Sequence, residues 1–171
     1  MERIKKLIHL DYAYKIGLTG ENVNVAVMDT GITAHADFEN RILVFKDCIN
    51  KKKGIYDDNG HGTHVAGILG GSGKMSPNGI YQGIAPKSGL VIIKVLDKNG
   101  NGNTSNVLEG VDWLIKNKER YKIRLLNISV GMLKNAGGKE KQELLDAVDA
   151  VWDAGIMVVT AAGERVIIMS R

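Results

Sequence analysis

The run Leu90–Leu96 reads LVIIKVL, an apolar and largely β-branched stretch whose composition predicts a buried strand. Val23–Met28 (VNVAVM) has the same character and predicts a second buried strand. Weaker or shorter runs at 41–46, 123–130 and 156–161 predict three more. Because such runs are apolar on both faces, they are typical of parallel strands, whose sheets are covered by helices on both sides.

Helical stretches alternate with these strands. Residues 61–69 predict a short helix rich in small residues, and Thr104 or Ser105 is placed to cap a second helix. Residues 139–154 predict a third helix, which Gly155 terminates. The alternation predicts an α/β fold of three layers, a mainly parallel sheet with helices on both faces, C-terminally incomplete.

Composition limits the classes of function. The chain has 171 residues, 44% of them apolar, which suits one domain. Net charge is +4, but the one basic triplet, Lys51–Lys53, lacks interleaved aromatic residues, so we expect no nucleic-acid partner. The single cysteine, Cys48, excludes an internal disulfide and fits a reducing compartment. With no signal-like N-terminus and no apolar run of membrane-spanning length, we expect a cytoplasmic protein without a membrane partner.

Two clusters stand where chemistry is expected. Asp29 directly follows a predicted strand, and function in such sheets gathers at the carboxyl ends of strands, although a strand-terminating turn is an equally open interpretation. His61 and His64 could suggest a metal, but no glutamate follows His61 and no third ligand is visible, so no metal site is predicted. The glycines and alanines of 59–67 would instead let a helix start pack beside Asp29.

These two clusters resemble the motifs of a known family. Asp29–Ile32 (DTGI) and His61–Gly67 (HGTHVAG) are similar, in order and in their interval of 32 residues, to the aspartate and histidine motifs of the subtilisin-like (S8) serine peptidases. The resemblance implies that His61 is the general base, that Asp29 fixes its tautomer, and that His64 is structural, facing the core or the other side of the helix.

The resemblance extends to about Gly163, so residues 1–163 are interpreted as the N-terminal part of a peptidase domain and 164–171 as an unmatched tail. It implies a peptide or protein substrate held by two segments. One would pair with the peptide, and the other would wall the specificity pocket. The implied substrate-binding residues are Gly100, Asn101, Gly102, Ser129, Val130 and Gly131.

The family pattern fails after Gly163. Glu164 stands where an oxyanion-stabilising asparagine is expected, and the loss of that donor typically costs ~10²–10³ in turnover. No Gly-Thr-Ser segment supplies the nucleophile, so we expect the lone chain to be inactive, with exposed apolar faces that favour self-association or a complementing C-terminal fragment. The abrupt tail suggests a truncated gene, a frameshift or a deliberately shortened chain. Asp37 could match one calcium ligand, but residues 75–82 do not supply the others, and no other cofactor is expected.

Two other functions remain open. The chain could be a non-catalytic peptide-binding protein whose segment 100–103 adds a peptide strand. Alternatively, Gly70–Lys74 could suggest a nucleotide-binding loop. That motif, however, needs glycine where Ile68 stands and serine or threonine where Met75 stands.

Overall fold

The computed structural model describes residues 2–129 and 137–160 and contains one parallel sheet. Its five strands lie in the order β2-β3-β1-β4-β5, which confirms the predicted α/β class. The strands are β1 (Asn24–Asp29), β2 (Ile42–Asp47), β3 (Gly89–Lys94), β4 (Ile123–Ile128) and β5 (Met157–Thr160). Val130 and Ala161, the last residues of two predicted strands, lie outside the described residues.

The described residues form five helices, three of which pack on the two faces of the sheet. They are α1 (Glu2–Leu7), α2 (Leu10–Lys15), α3 (His61–Gly70), α4 (Thr104–Asn117) and α5 (Gly138–Asp153), with short 3-10 turns at Glu39–Arg41 and Pro77–Gly79. The predicted cap of α4 is wrong by one residue or two. Asn103 is the cap, because its side-chain oxygen accepts from the Asn106 N–H at 2.8 Å, while Ser105 donates to that same oxygen.

Two apolar clusters lie on opposite faces of the central strands. One joins β1 and β3 to α4 and α5, and the other joins them to α3. Gly110 shows how closely α4 approaches, since a Cβ there would lie 3.0 Å from Ile93 Cγ2 and 3.1 Å from Met28 Cε. No helix in residues 2–129 or 137–160 combines the length and apolarity needed to cross a membrane.

Parallel pairing brings the carboxyl ends of the strands to one edge of the sheet. Asp29 pairs in register with Lys94 of β3, and the Asp29 carbonyl then accepts from the N–H groups of Val95 and Leu96 at 3.0 and 3.3 Å. The chain after β3 is therefore attached to the end of β1. This edge carries the candidate site.

Asp47 organises the loop that runs from β2 to α3. Its side chain is buried and accepts hydrogen bonds from the backbone of Ile49, Asn50 and Lys52 and from the Tyr56 hydroxyl, at 2.7 to 3.1 Å. Burial alone would raise the pKa of Asp47, but these hydrogen bonds outweigh burial and hold the pKa below its ordinary value. The carboxylate therefore stabilises the loop that leads to α3.

We predict that Asp47→Asn lowers the free energy of unfolding by about 1–3 kcal/mol at neutral pH, because charged acceptors form the stronger hydrogen bonds. The pKa of Asp47 is lower in the folded protein than in the unfolded chain. The stability that Asp47 contributes is therefore fully present above its ordinary pKa of about 4 and is lost as the pH falls through its pKa in the folded protein. Urea unfolding at several pH values measures this stability difference.

Asp112→Asn is the control, since Asp112 is exposed and makes one i,i+4 pair with Lys116. This control substitution should lower the free energy of unfolding by at most about 0.5 kcal/mol. Equal effects of the two variants would contradict the role of Asp47.

Candidate active site

Asp29 and His61 meet at the carboxyl edge of the sheet. His61 Nδ1 lies 2.8 Å from Asp29 Oδ1. The Asp29 side chain is fully buried, whereas the His61 side chain is 51% exposed. Asp29 Oδ1 also accepts from the Thr30 N–H at 2.7 Å, while Oδ2 has no hydrogen-bond partner within the described part of the chain. The structure thus brings together the two residues that the sequence proposed as catalytic.

Glycines allow the close approach of strand and helix. A Cβ on Gly62 would lie 2.3 Å from the Gly31 carbonyl oxygen and 3.2 Å from Asp29 Cβ. Gly31 has φ +122°, and a Cβ there would lie 2.2 Å from the Tyr56 carbonyl oxygen. A side chain at position 62 would push α3 away from the end of β1, and one at position 31 would displace the loop at Tyr56. Gly62 of the histidine motif therefore allows the short distance between Asp29 and His61.

Three side chains satisfy the first N–H groups of α3. Asn59 Oδ1 accepts from His61 N at 3.1 Å, and the Thr30 hydroxyl accepts from Gly62 N at 2.8 Å. Asp57 accepts from Gly60 N and Thr63 N at 2.8 and 2.9 Å, and also from the Thr63 hydroxyl. Burial alone would raise the pKa of Asp57, but its hydrogen bonds from Thr63, Gly60 and Thr30 outweigh burial and lower the pKa to about 2. An anionic side chain at a helix N-terminus is also favoured by the helix dipole.

Lys94 lies beneath the site and is fully buried. Its ammonium donates to the carbonyls of Thr30 and Leu96 at 2.5 and 2.8 Å and to Asp58 Oδ1 at 2.7 Å. It also lies 4.9 Å from the centre of the Tyr56 ring. A buried ammonium needs such partners, and here they join the ends of β1 and β3 to the loop before His61.

The segment 97–102 forms a tight loop beside α3. Asp97 N donates to the Asn101 carbonyl at 2.8 Å, Asp97 Oδ1 accepts from Asn101 N at 2.9 Å, and Gly100 N donates to the Asp97 carbonyl at 3.0 Å. The backbone hydrogen bonds from Asn101 and Asn99 lower the pKa of Asp97. The Asn59 side-chain amide donates to the Lys98 carbonyl at 3.0 Å, so this loop is linked directly to the start of the His61 helix.

The second predicted binding segment is described only in part. Ser129 follows β4 at the same edge of the sheet, and its hydroxyl accepts from the Asn127 side-chain amide at 3.2 Å. Val130 and Gly131, and also Glu164, lie outside the described residues. His64 is exposed, so it faces away from the core.

Asp37, which the sequence suggested as a match to one calcium ligand, contacts the loop after α3. Its Oδ1 accepts from the Ser72 hydroxyl at 3.2 Å and from Met75 N at 3.0 Å, which holds the loop after α3. Within residues 2–129 and 137–160, no group of three or more histidine, cysteine, aspartate or glutamate side chains is arranged to hold a metal ion. No step below depends on a metal ion.

Sequence reasoning missed Asp57, Asn59 and Lys94. An acidic or amide side chain within four residues of a helix start is a capping signal, and this could have identified Asp57 and Asn59. A lysine inside the apolar run LVIIKVL could have indicated a buried, paired ammonium.

Comparison with known proteins agrees with this geometry. A family model described as "Subtilase family" matches residues 20–169, which extends past Gly163. Serine protease AprX of Bacillus subtilis is 45% identical over 150 residues, covering 85% of this chain and 34% of that protein. The major intracellular serine protease of the same organism is 35% identical over 166 residues, covering 94% of this chain and 48% of the relative.

A solved structure shows the same architecture. The crystal structure of a cold adapted subtilisin-like serine proteinase aligns with a TM-score of 0.70 and 32% identity, covering 86% of this chain and 48% of that one. The chain spans between about a third and a half of the length of these relatives. Because the family model covers most of its residues, the chain belongs to the subtilase family of serine peptidases.

Proposed function

We propose that this chain provides the acid–base half of a serine endopeptidase site, with His61 as general base and Asp29 as the residue that orients it. The contact of 2.8 Å between His61 Nδ1 and the buried Asp29 carboxylate carries the proposal. When Nδ1–H donates to Asp29, the lone pair of Nε2 is available to accept a proton from a serine hydroxyl and to return it to the leaving amine. Family membership supports peptides or proteins as substrates.

We further propose that these 171 residues alone do not hydrolyse peptides and that a serine segment outside them is needed to complete the site. A base and its orienting acid cannot form an acyl-enzyme without a nucleophile. Each described serine hydroxyl has a hydrogen-bond partner other than His61. Their partners are Asp37 for Ser72, Gly73 for Ser76, Ala85 for Ser88, Asn103 for Ser105 and Asn127 for Ser129.

A fluorogenic peptide assay tests this proposal. We expect the purified chain and its His61→Ala variant to give equal, negligible turnover, and we expect neither to react with a serine-directed phosphonate. Turnover or labelling that disappears in His61→Ala would show that a serine of this chain is the nucleophile. Removal of the serine costs about 10⁶ in kcat in a related triad, so the two outcomes are well separated.

The alternative is a peptide-binding protein without catalysis, and one feature of loop 97–102 favours it. The Gly100 carbonyl and both backbone groups of Gly102 make no hydrogen bond within the described residues, whereas Asn101 is held by Asp97 on both sides. Exposed, unpaired backbone groups can pair with the backbone of an extended peptide. Both proposed functions would use loop 97–102 to hold a peptide. They differ in reactivity, because only a catalytic site completed by a serine would react with the phosphonate.

We predict that Gly102→Ala lowers the affinity for an extended peptide by about tenfold or more. A Cβ on Gly102 would lie 2.7 Å from the Val95 carbonyl oxygen. The substitution would therefore push the segment around Gly102 away from Val95 and misplace the backbone groups that would pair with the peptide. Fluorescence anisotropy of a labelled peptide measures binding. Gly54→Ala is the matched control, because a Cβ there has no neighbour within 4 Å. If both variants bind like the parent, peptides do not bind at this edge.

We also propose that the chain associates with a complementing fragment or with itself through β5. Among the described residues, β5 is an edge strand whose one neighbour is β4. Met157 and Val159 on this strand are 55% and 48% exposed, and Trp152 of α5 is 59% exposed. Open edges with apolar side chains are the surfaces on which strands associate.

We expect Met157→Lys to reduce association of the purified chain, because a charge on an edge strand opposes pairing. Sedimentation velocity at several concentrations measures the oligomer fraction. Met75→Lys serves as the control, since Met75 is equally apolar, is 65% exposed, and lies in the loop after α3. A parent chain that stays monomeric at all concentrations would contradict self-association, and equal effects of the two substitutions would remove β5 from the explanation.

A cytoplasmic location is also a proposal. Its support is the single cysteine, Cys48, which is buried and leaves the chain without a disulfide. Relatives are named as both intracellular and extracellular proteases, so they favour neither location.

A further inference from the structure

The distance between Asp29 and His61 depends on how α3 is attached to β1. The two residues are 32 positions apart, and His61 is the first residue of its helix. The N-cap of this helix is Gly60, which has no side chain to hold the first turn. Other residues must therefore fix the helix start relative to the strand.

The Thr30 side chain makes that connection directly. Thr30 is 1% exposed, and its hydroxyl accepts from Gly62 N and donates to Asp57 Oδ1, both at 2.8 Å. Its backbone N–H donates to Asp29 Oδ1 at 2.7 Å. Thr30 thus contacts the carboxylate of Asp29, the second residue of α3, and the acid that caps α3.

Asp57 gives the hydroxyl a fixed direction. A threonine hydroxyl has one proton, and its donation to the carboxylate Asp57 Oδ1 leaves its lone pairs aimed at the Gly62 N–H. The hydrogen bond is charge-assisted, because the pKa of Asp57 is about 2. The same carboxylate also binds Gly60 N and Thr63 N, so it holds the residues on both sides of His61.

We propose that Thr30 is a positioning residue whose hydroxyl, held by Asp57, keeps the His61 helix at hydrogen-bonding distance from Asp29. This proposal rests on the proposed roles of Asp29 and His61. Thr30 touches no reacting atom; it acts through the geometry of the pair. A shape-conserving change that removes only the hydroxyl leaves the Gly62 N–H and the Asp57 carboxylate without their shared partner.

The test compares Thr30→Val with Thr30→Ser in the 171-residue chain by NMR of the His61 ring. The low-field Nδ1–H resonance, assigned by its loss in His61→Ala, reports the hydrogen bond to Asp29. We expect Thr30→Val to shift this resonance towards that of an unbonded imidazole or to abolish it, and we expect Thr30→Ser to retain it. Thr19→Val is the matched control, because the Thr19 hydroxyl is buried without a partner in the described residues, and its loss should leave the resonance unchanged.

Stability is measured separately by urea unfolding, since a merely structural role would lower stability without moving the His61 resonance. An unchanged resonance in folded Thr30→Val overturns the proposal, as does its loss in folded Thr30→Ser. Should Thr30→Val fail to fold, Asp57→Asn replaces it, with a shifted resonance expected and an unchanged one overturning the proposal. The measurement needs no turnover, so it can fail while the proposed acid–base roles survive, and the reverse also holds.

Discussion

A carboxylate buried at the carboxyl edge of a parallel sheet is the constraint around which this molecule is organised. Asp29 is fully buried, and a buried carboxylate is costly unless donors surround it. The donors here are the next backbone N–H and the imidazole of His61, both on one oxygen. The imidazole is therefore a structural partner of Asp29 as well as the candidate base. Glycines, caps and the buried ammonium of Lys94 all serve to bring the His61 helix to that oxygen.

The strands that the sequence predicted most strongly are those buried on both faces of the sheet. β1 and β3 are covered on both faces, so their apolar runs are continuous and easily identified. β2 is an edge strand with Leu43 42% exposed, and its signal was correspondingly weak. The cap of α4 was misplaced because Asn103, Thr104 and Ser105 are all residue types that can cap, and only the backbone geometry selects Asn103.

The residues of the candidate site also divide into those that the sequence could predict and those that it could not. The order and interval of the two motifs identified Asp29 and His61 as candidate catalytic residues. The family resemblance could do this because it carries information about which residues meet in the folded protein, which composition lacks. The contacts that set their distance were missed, because Asp57, Asn59 and Lys94 act across loops of irregular geometry. Lys94 is the clearest case: its ammonium reaches Thr30 and Asp58, 64 and 36 residues away, through a register that only the folded sheet defines.

The Asp29–His61 pair depends on few parts of the chain. The contacts described for Asp29, Thr30, Asp57 and His61 come from residues 29–63, with Lys94 and the 95–101 segment supporting them from β3. No contact in this group requires β4, β5 or α5. A preorganised base is useful for catalysis because its orientation costs nothing at the moment of reaction. The network around Thr30 can therefore set the geometry of Asp29 and His61 before any nucleophile arrives. If a serine segment completes the site as proposed, it would meet a base that is already oriented, and it would add the hydroxyl and an oxyanion donor.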